Sequence, residues 1–191
     1  MKKISMFLLG VTVFFFSCTN AGKDGVEKAD STNAANLDTA LNQHKVVIDD
    51  GSSSFLVRVA NTGMAETQMA SWEEQKGATA AVQDFATMFY KAHSAINDTV
   101  RIIAANKTII LPAALSEDKQ NEVNALEKLE GKDLDREFIR VMIKNHQANI
   151  DMFEKAMLDA KDPDIRSFAD KKLPALKAHL EMAKNLQRKY F

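Results

Sequence analysis

From Ser53 to the C-terminus, apolar residues recur at steps of three and four with hardly a break. That spacing matches the turn of an α-helix and not a half-buried strand, where the faces alternate at every residue. Four long stripes can be read. The first is Phe55, Val59, Thr62, Glu66 and Met69, and the second Val82, Ala86, Phe89, His93, Ile96, Val100 and Ile103. The third is Ile139, Ile143, His146, Ile150, Phe153 and Met157, and the fourth Ile165, Ala169, Leu176, His179, Ala183 and Leu186. Thr108-Ile109-Ile110-Leu111 is the one short β-branched run, and Pro112 cuts it off. The expected fold class is therefore all-α.

Turn and cap residues divide the pattern. Helix A is predicted over about residues 55–76, capped by Ser53 or Ser54 and broken by Gly77. Helix B follows over about 80–105. Ser116 caps a shorter helix over about 117–129, which Gly131 ends. Asp133 caps helix C, about 134–160. Asp162-Pro163, a cap followed by proline at the first helical position, opens helix D, which runs to about 189. Pro174 should kink or divide helix D, because it removes a backbone donor and crowds the preceding turn. The A/B and C/D turns are tight, and the longer B-to-C connection carries the extra short helix. The expected architecture is an antiparallel up-down-up-down four-helix bundle spanning residues 53–191.

One titratable residue interrupts each stripe near its middle: Glu66, His93, His146 and His179. With both tight turns at one end, centred near residues 78 and 162, His93, His146 and His179 lie fifteen, sixteen and seventeen residues from their turns. At about 1.5 Å per residue their heights differ by only about 3 Å, with Glu66 roughly 5 to 7 Å nearer that end. Imidazole nitrogens and carboxylate oxygens meeting in a bundle core suit a divalent metal ion such as Zn, Fe, Mn or Cu. The same residues would equally serve as buried polar groups hydrogen-bonded to one another or to trapped water. Met142 and Met182 flank two of the histidines, a thioether–imidazole pattern that also suits copper(I) but is more commonly core filling. No Glu-x-x-His pair occurs in any long helix, so the paired-carboxylate site of di-iron proteins is not reproduced.

The N-terminus speaks to location. Lys2 and Lys3 precede an apolar run from Met6 to Phe16, of signal-peptide length and too short to span a bilayer. Phe15-Phe16-Ser17-Cys18 resembles a bacterial lipobox. The resemblance implies a signal peptide over residues 1–17, cleavage before Cys18, and lipidation of Cys18 on its sulfur and new amino group. No aspartate follows Cys18, which favours the outer over the inner membrane if the cell is Gram-negative. Residues 18–52 lack a sustained apolar period and read as a flexible tether, with Val46-Val47-Ile48 as a lone apolar patch and His44 without a role.

Removing Lys2 and Lys3 takes the formal charge from -1 to about −3, and no basic face emerges, so a nucleic-acid partner is not expected. Cys18 is the only cysteine, which rules out an intramolecular disulfide. No Ser/His/Asp hydrolase elbow, phosphate-binding loop or dinucleotide fingerprint occurs, and no enzyme class is assigned.

Four stretches carry a family likeness: Met64-Ala65-Glu66; Phe85-Ala86-Thr87-Met88 ahead of His93; Gly131 with Asp135-Arg136-Glu137-Phe138 and Val141 through His146; and Phe168-Ala169, Leu173-Pro174 and His179-Leu180. Over about residues 53–188 the chain resembles the family known as domain of unknown function 4142, described as ferritin-like and exported. The resemblance implies a ferritin-like helical fold and export, and it places Glu66, His93, His146 and His179 at the family's recurrent polar positions. The chain has Ala92 and Asn145 where the family carries acidic residues before two of the histidines. Two functions are expected from all of this: a lipid-anchored envelope protein that binds a metal ion through Glu66, His93, His146 and His179, or a metal-free module that presents a helical face to an envelope protein partner.

Overall fold

The computed structural model describes residues 24–42 and 49–191. Cys18, His44 and Val46-Val47-Ile48 lie outside the described residues. Among those described there are six helices and no strand: α1 (Gly25–Asn42), α2 (Asp50–Lys76), α3 (Ala80–Asn106), α4 (Glu117–Glu127), α5 (Gly131–Asp159) and α6 (Pro163–Tyr190). None of these helices is long and apolar enough to cross a membrane.

The long helices form where the stripes predict, with two different starts. α2 begins earlier than expected because Asp49, not Ser53 or Ser54, is its N-cap, accepting from the Ser52 backbone N–H at 3.1 Å. α5 begins at Gly131 rather than after Asp133. Gly131 adopts a φ of 60°, a conformation open to glycine at little cost, and it lets the chain turn directly into the helix. Asp162 caps α6 as expected, accepting from Asp164 and Ile165 N–H at 2.9 and 3.2 Å. Pro174 lies inside α6 without dividing it.

The expected up-down-up-down order does not hold. Asp135, in the first turns of α5, accepts from the backbone N–H groups of Ala78 and Thr79 at 2.8 and 2.9 Å, so α5 starts beside the α2–α3 turn. At the opposite end, Lys107 after α3 meets Asp162 and Asp164 at the start of α6, at 2.7 and 2.8 Å. The two tight turns therefore lie at opposite ends. The chain runs up α2, down α3, crosses back upward through α4, then runs down α5 and up α6. α4 makes this possible. Its N-cap Ser116 is paired with Asn61 of α2 through two 2.9 Å hydrogen bonds, and Lys76 at the top of α2 donates to the carbonyl of Glu127 at 3.4 Å. A single long crossover of this kind is what ferritin-like bundles carry.

The core has two apolar clusters. The lower holds Phe55, Val100, Phe153, Ile165 and Phe168, with the Phe55 ring edge-on to both Phe153 and Phe168 at centroid distances of 5.0 and 6.2 Å. The upper holds Met69, Val82, Phe85, Phe89, Leu134 and Phe138. The polar residues of the stripes sit between them.

The tether reading fails for residues 25–42, which form α1. Its inward stripe is narrow: Ala29 and Asn33 are buried, and Val26 and Leu37 are partly so. Asn33 holds both backbone groups of Ile110, donating to its carbonyl at 3.0 Å and accepting its N–H at 2.8 Å. Because an asparagine stands in the middle of that stripe, the helical period was invisible.

After α3 the chain leaves through a Schellman-type cap. Ile109 N–H reaches the Ala104 carbonyl at 2.9 Å and Thr108 N–H the Ala105 carbonyl at 3.3 Å. The left-handed position, usually glycine, is Thr108, with φ 57°. For a β-branched residue this is a strained backbone.

Candidate metal centre

His93, His146 and His179 are brought together from α3, α5 and α6. They are 3%, 1% and 6% exposed, and each offers a nitrogen within 4.8 Å of the other two. The ring centroids lie 5.2, 5.5 and 5.8 Å apart. Three imidazoles bound tetrahedrally to one ion at 2.0–2.1 Å would place their centroids about 5.2 Å apart, so the rings stand near the required separation before any ion binds. The histidines meet although the turns lie at opposite ends, because each sits near the middle of a helix of 27 to 29 residues. A midpoint has the same height counted from either end.

Glu66 joins the cluster from behind. Its Oε2 is 2.9 Å from His93 Nδ1, and its Oε1 lies 3.7 Å from His146 Nδ1 and accepts from Asn149 Nδ2 at 3.2 Å. A carboxylate accepts only, so His93 Nδ1 carries the hydrogen, and in the neutral ring the lone pair is on Nε2. His146 is oriented in the same way by a different partner: its Nδ1 is 3.1 Å from the carbonyl of Met142, one helical turn back. That leaves His93 Nε2 and His146 Nε2 buried with no hydrogen-bond partner, together with His179 Nδ1. Buried polar nitrogens are rarely left unpaired. Three at one site, two with their lone pairs fixed by a partner on the far nitrogen, form the arrangement that holds metal-ligating histidines in other proteins. The four sequence-predicted residues thus converge, with Glu66 standing outside the three-imidazole group. Met142 serves through its backbone, and the Met182 side chain is exposed.

The surroundings favour neutral rings at His146 and His179. Phe89 is fully buried and stacks on His93 with centroids 4.0 Å apart, and its ring lies 5.0 and 5.7 Å from those of His146 and His179. Burial pushes the His146 and His179 imidazoles down to about 4, assisted at His146 by His93 and at His179 by His93 and His146, and opposed at both by Glu66. Burial alone would raise the Glu66 carboxyl. The charge and hydrogen bond of His93, with His146 and Lys119 behind them, outweigh it and hold Glu66 below the usual range.

A second buried polar group was missed by the sequence reading. Glu73 and Asp135 are both 0% exposed and sit on either side of Gly77. A Cβ at Gly77 would stand 2.1 Å from Glu73 Oε1 and 2.8 Å from Asp135 Oδ1, so only glycine lets the two carboxyls close over the turn. Burial, then the hydrogen bond and charge of Asp135, push Glu73 up to about 9. The signal available in sequence was glycine four residues after a glutamate, which is too common to single out.

Comparison with known proteins adds the family. The model of the domain of unknown function DUF4142 matches residues 29–186, which takes in most of α1. No curated protein matches. Among solved structures, a crystal structure of a DUF305 fragment from Deinococcus radiodurans is similar in fold, with a TM-score of 0.67 and 15% identity. The match covers 74% of this chain and 98% of that one.

Proposed function

We propose that this chain, which belongs to the DUF4142 family of domains of unknown function, is a lipid-anchored cell-envelope protein whose ferritin-like four-helix bundle binds one metal ion through His93, His146 and His179. The single observation that carries the metal reading is the set of three buried imidazole nitrogens without partners. Glu66 then acts as the orienting carboxylate and supplies one negative charge beside the ion, while the three neutral ligands leave a fourth coordination position for a small exogenous group. Zn, Fe, Mn and Cu all accept imidazole, and the donor set does not choose among them. Storage, sensing or stress protection are the uses that fit a site buried in the bundle core. Lipidation at Cys18 and residence in the outer membrane of a Gram-negative cell are parts of this reading supported by the lipobox-like sequence.

The test uses the chain from Thr19 onward without a histidine tag, so that α1 is retained. Metal content after purification and melting temperature with each divalent ion and with copper(I) are compared with a His93→Ala, His146→Ala, His179→Ala triple variant. Metal binding at one ion per chain and a raised melting temperature in the parent only are expected. If no ion raises the parent's melting temperature, the metal reading fails. The metal-free partner module is then the remaining function, and crosslinking in the native envelope would identify what it holds.

A further inference from the structure

We infer that the uncharged crossover loop, residues 108–115, is the face this protein lays against the lipid bilayer; the inference rests on the lipidation of Cys18 proposed above. Two independent features converge there. One is composition. From Thr108 to Ser116 there is no charged residue, and Thr108, Ile110, Ala113 and Ala114 are exposed. Ile110 is 45% exposed, and Ile102, about one turn before the end of α3, is 62% exposed. The nearest cation, Lys107, is taken up by Asp162 and Asp164.

The other feature is where the chain enters the fold. Gly25, the first residue of α1, is packed so closely on this loop that an added Cβ would stand 2.1 Å from the Ala114 carbonyl oxygen. Asn33 then fastens α1 to Ile110 through both backbone groups. Gly25 is seven residue steps on from Cys18. Fully extended, seven steps reach about 25 Å at most. A tether running to Ser52 would instead reach over about 100 Å and leave every face free to turn toward the membrane. With α1 in place the lipid and the apolar loop are held within about one helix length of each other. Exposed isoleucine and alanine side chains at that distance partition into the headgroup–acyl boundary, as the apolar faces of interfacial segments do.

Cys18 is the only cysteine and its sulfur would carry the lipid, so Ile110→Cys, Ala113→Cys and Lys91→Cys each add one free thiol. Lys91 is exposed and sixteen residues up α3 from Lys107, about 24 Å away. The full lipidated protein is labelled at each position with an environment-sensitive fluorophore. It is then reconstituted into phosphatidylethanolamine–phosphatidylglycerol vesicles containing a nitroxide-bearing lipid. Flotation, the mass of the Cys18 peptide and the melting curve of each variant accompany the fluorescence. Quenching several-fold stronger at positions 110 and 113 than at 91 is the expected result, with position 113 serving if the variant at 110 melts early. Equal quenching at all three in protein that floats with the vesicles overturns the membrane face and leaves the anchor intact. Protein that neither floats nor carries lipid at Cys18 overturns both. Shielding of positions 110 and 113 in detergent without nitroxide lipid, with a doubled mass, would assign the loop to a second copy of the chain and also overturn the inference.

Discussion

Replacing Glu73 by glutamine should change how stability depends on pH more than it changes stability itself. Two buried carboxyls facing each other over Gly77 cannot both ionise at low cost, so Glu73 keeps a proton and donates it toward Asp135. Its pKa is about 9 in the folded chain against 4.5 for the free side chain. A raised carboxyl pKa means that the folded state holds a proton which the unfolded state has released. The contribution is fully present below about pH 4.5 and is lost as pH rises toward about 9. One proton of difference corresponds to a slope of about 1.4 kcal/mol per pH unit, or roughly 4 kcal/mol between pH 5 and 8. Glutamine offers an N–H to Asp135 at every pH and removes that slope. Urea unfolding of metal-free parent and E73Q at pH 5, 6, 7 and 8 gives the comparison, and other titrating groups cancel in the difference. The two curves should diverge as pH rises, with E73Q the more stable at pH 8. Parallel curves would refute the proton held by Glu73 in the folded chain.

Three further outcomes are expected. Thr108→Gly relieves a left-handed threonine and should stabilise the fold by about 1 kcal/mol, read as a raised denaturant midpoint with an unchanged slope. Asn33→Ala removes both hydrogen bonds to Ile110 and should cost roughly 1 to 3 kcal/mol, with hydrogen exchange in α1 accelerating before that of α2. Glu66→Gln keeps the volume but not the charge behind His93. It should weaken metal binding about 10- to 100-fold by competition with a chelating dye while the stoichiometry stays at one ion.

The long helices were legible because each carries a wide apolar face, and the site was legible because a histidine inside such a face stands out against leucine and valine. The order of the helices was not. Periodicity fixes where a helix is and which side is buried, but a 24-residue connection between Asn106 and Gly131 can return the chain to either end. The direction was settled by Asp135 reaching the Ala78 and Thr79 N–H groups, a contact between residues more than fifty apart that no local pattern announces. α1 was hidden by its own polarity. Glu66 was read as a ligand because carboxylates commonly are, whereas its place behind the His93 ring depends on a side-chain direction that spacing does not specify.

The crossover also decides when the triad can exist. Glu66 and His93 belong to the hairpin made before α4, and His146 and His179 to the hairpin made after it. Neither half of the polypeptide holds all three imidazoles. On the proposed metal reading, an ion can be captured only after the last helix has docked. A bound ion would then clasp together two hairpins that the chain itself joins through a single strand of covalent bonds.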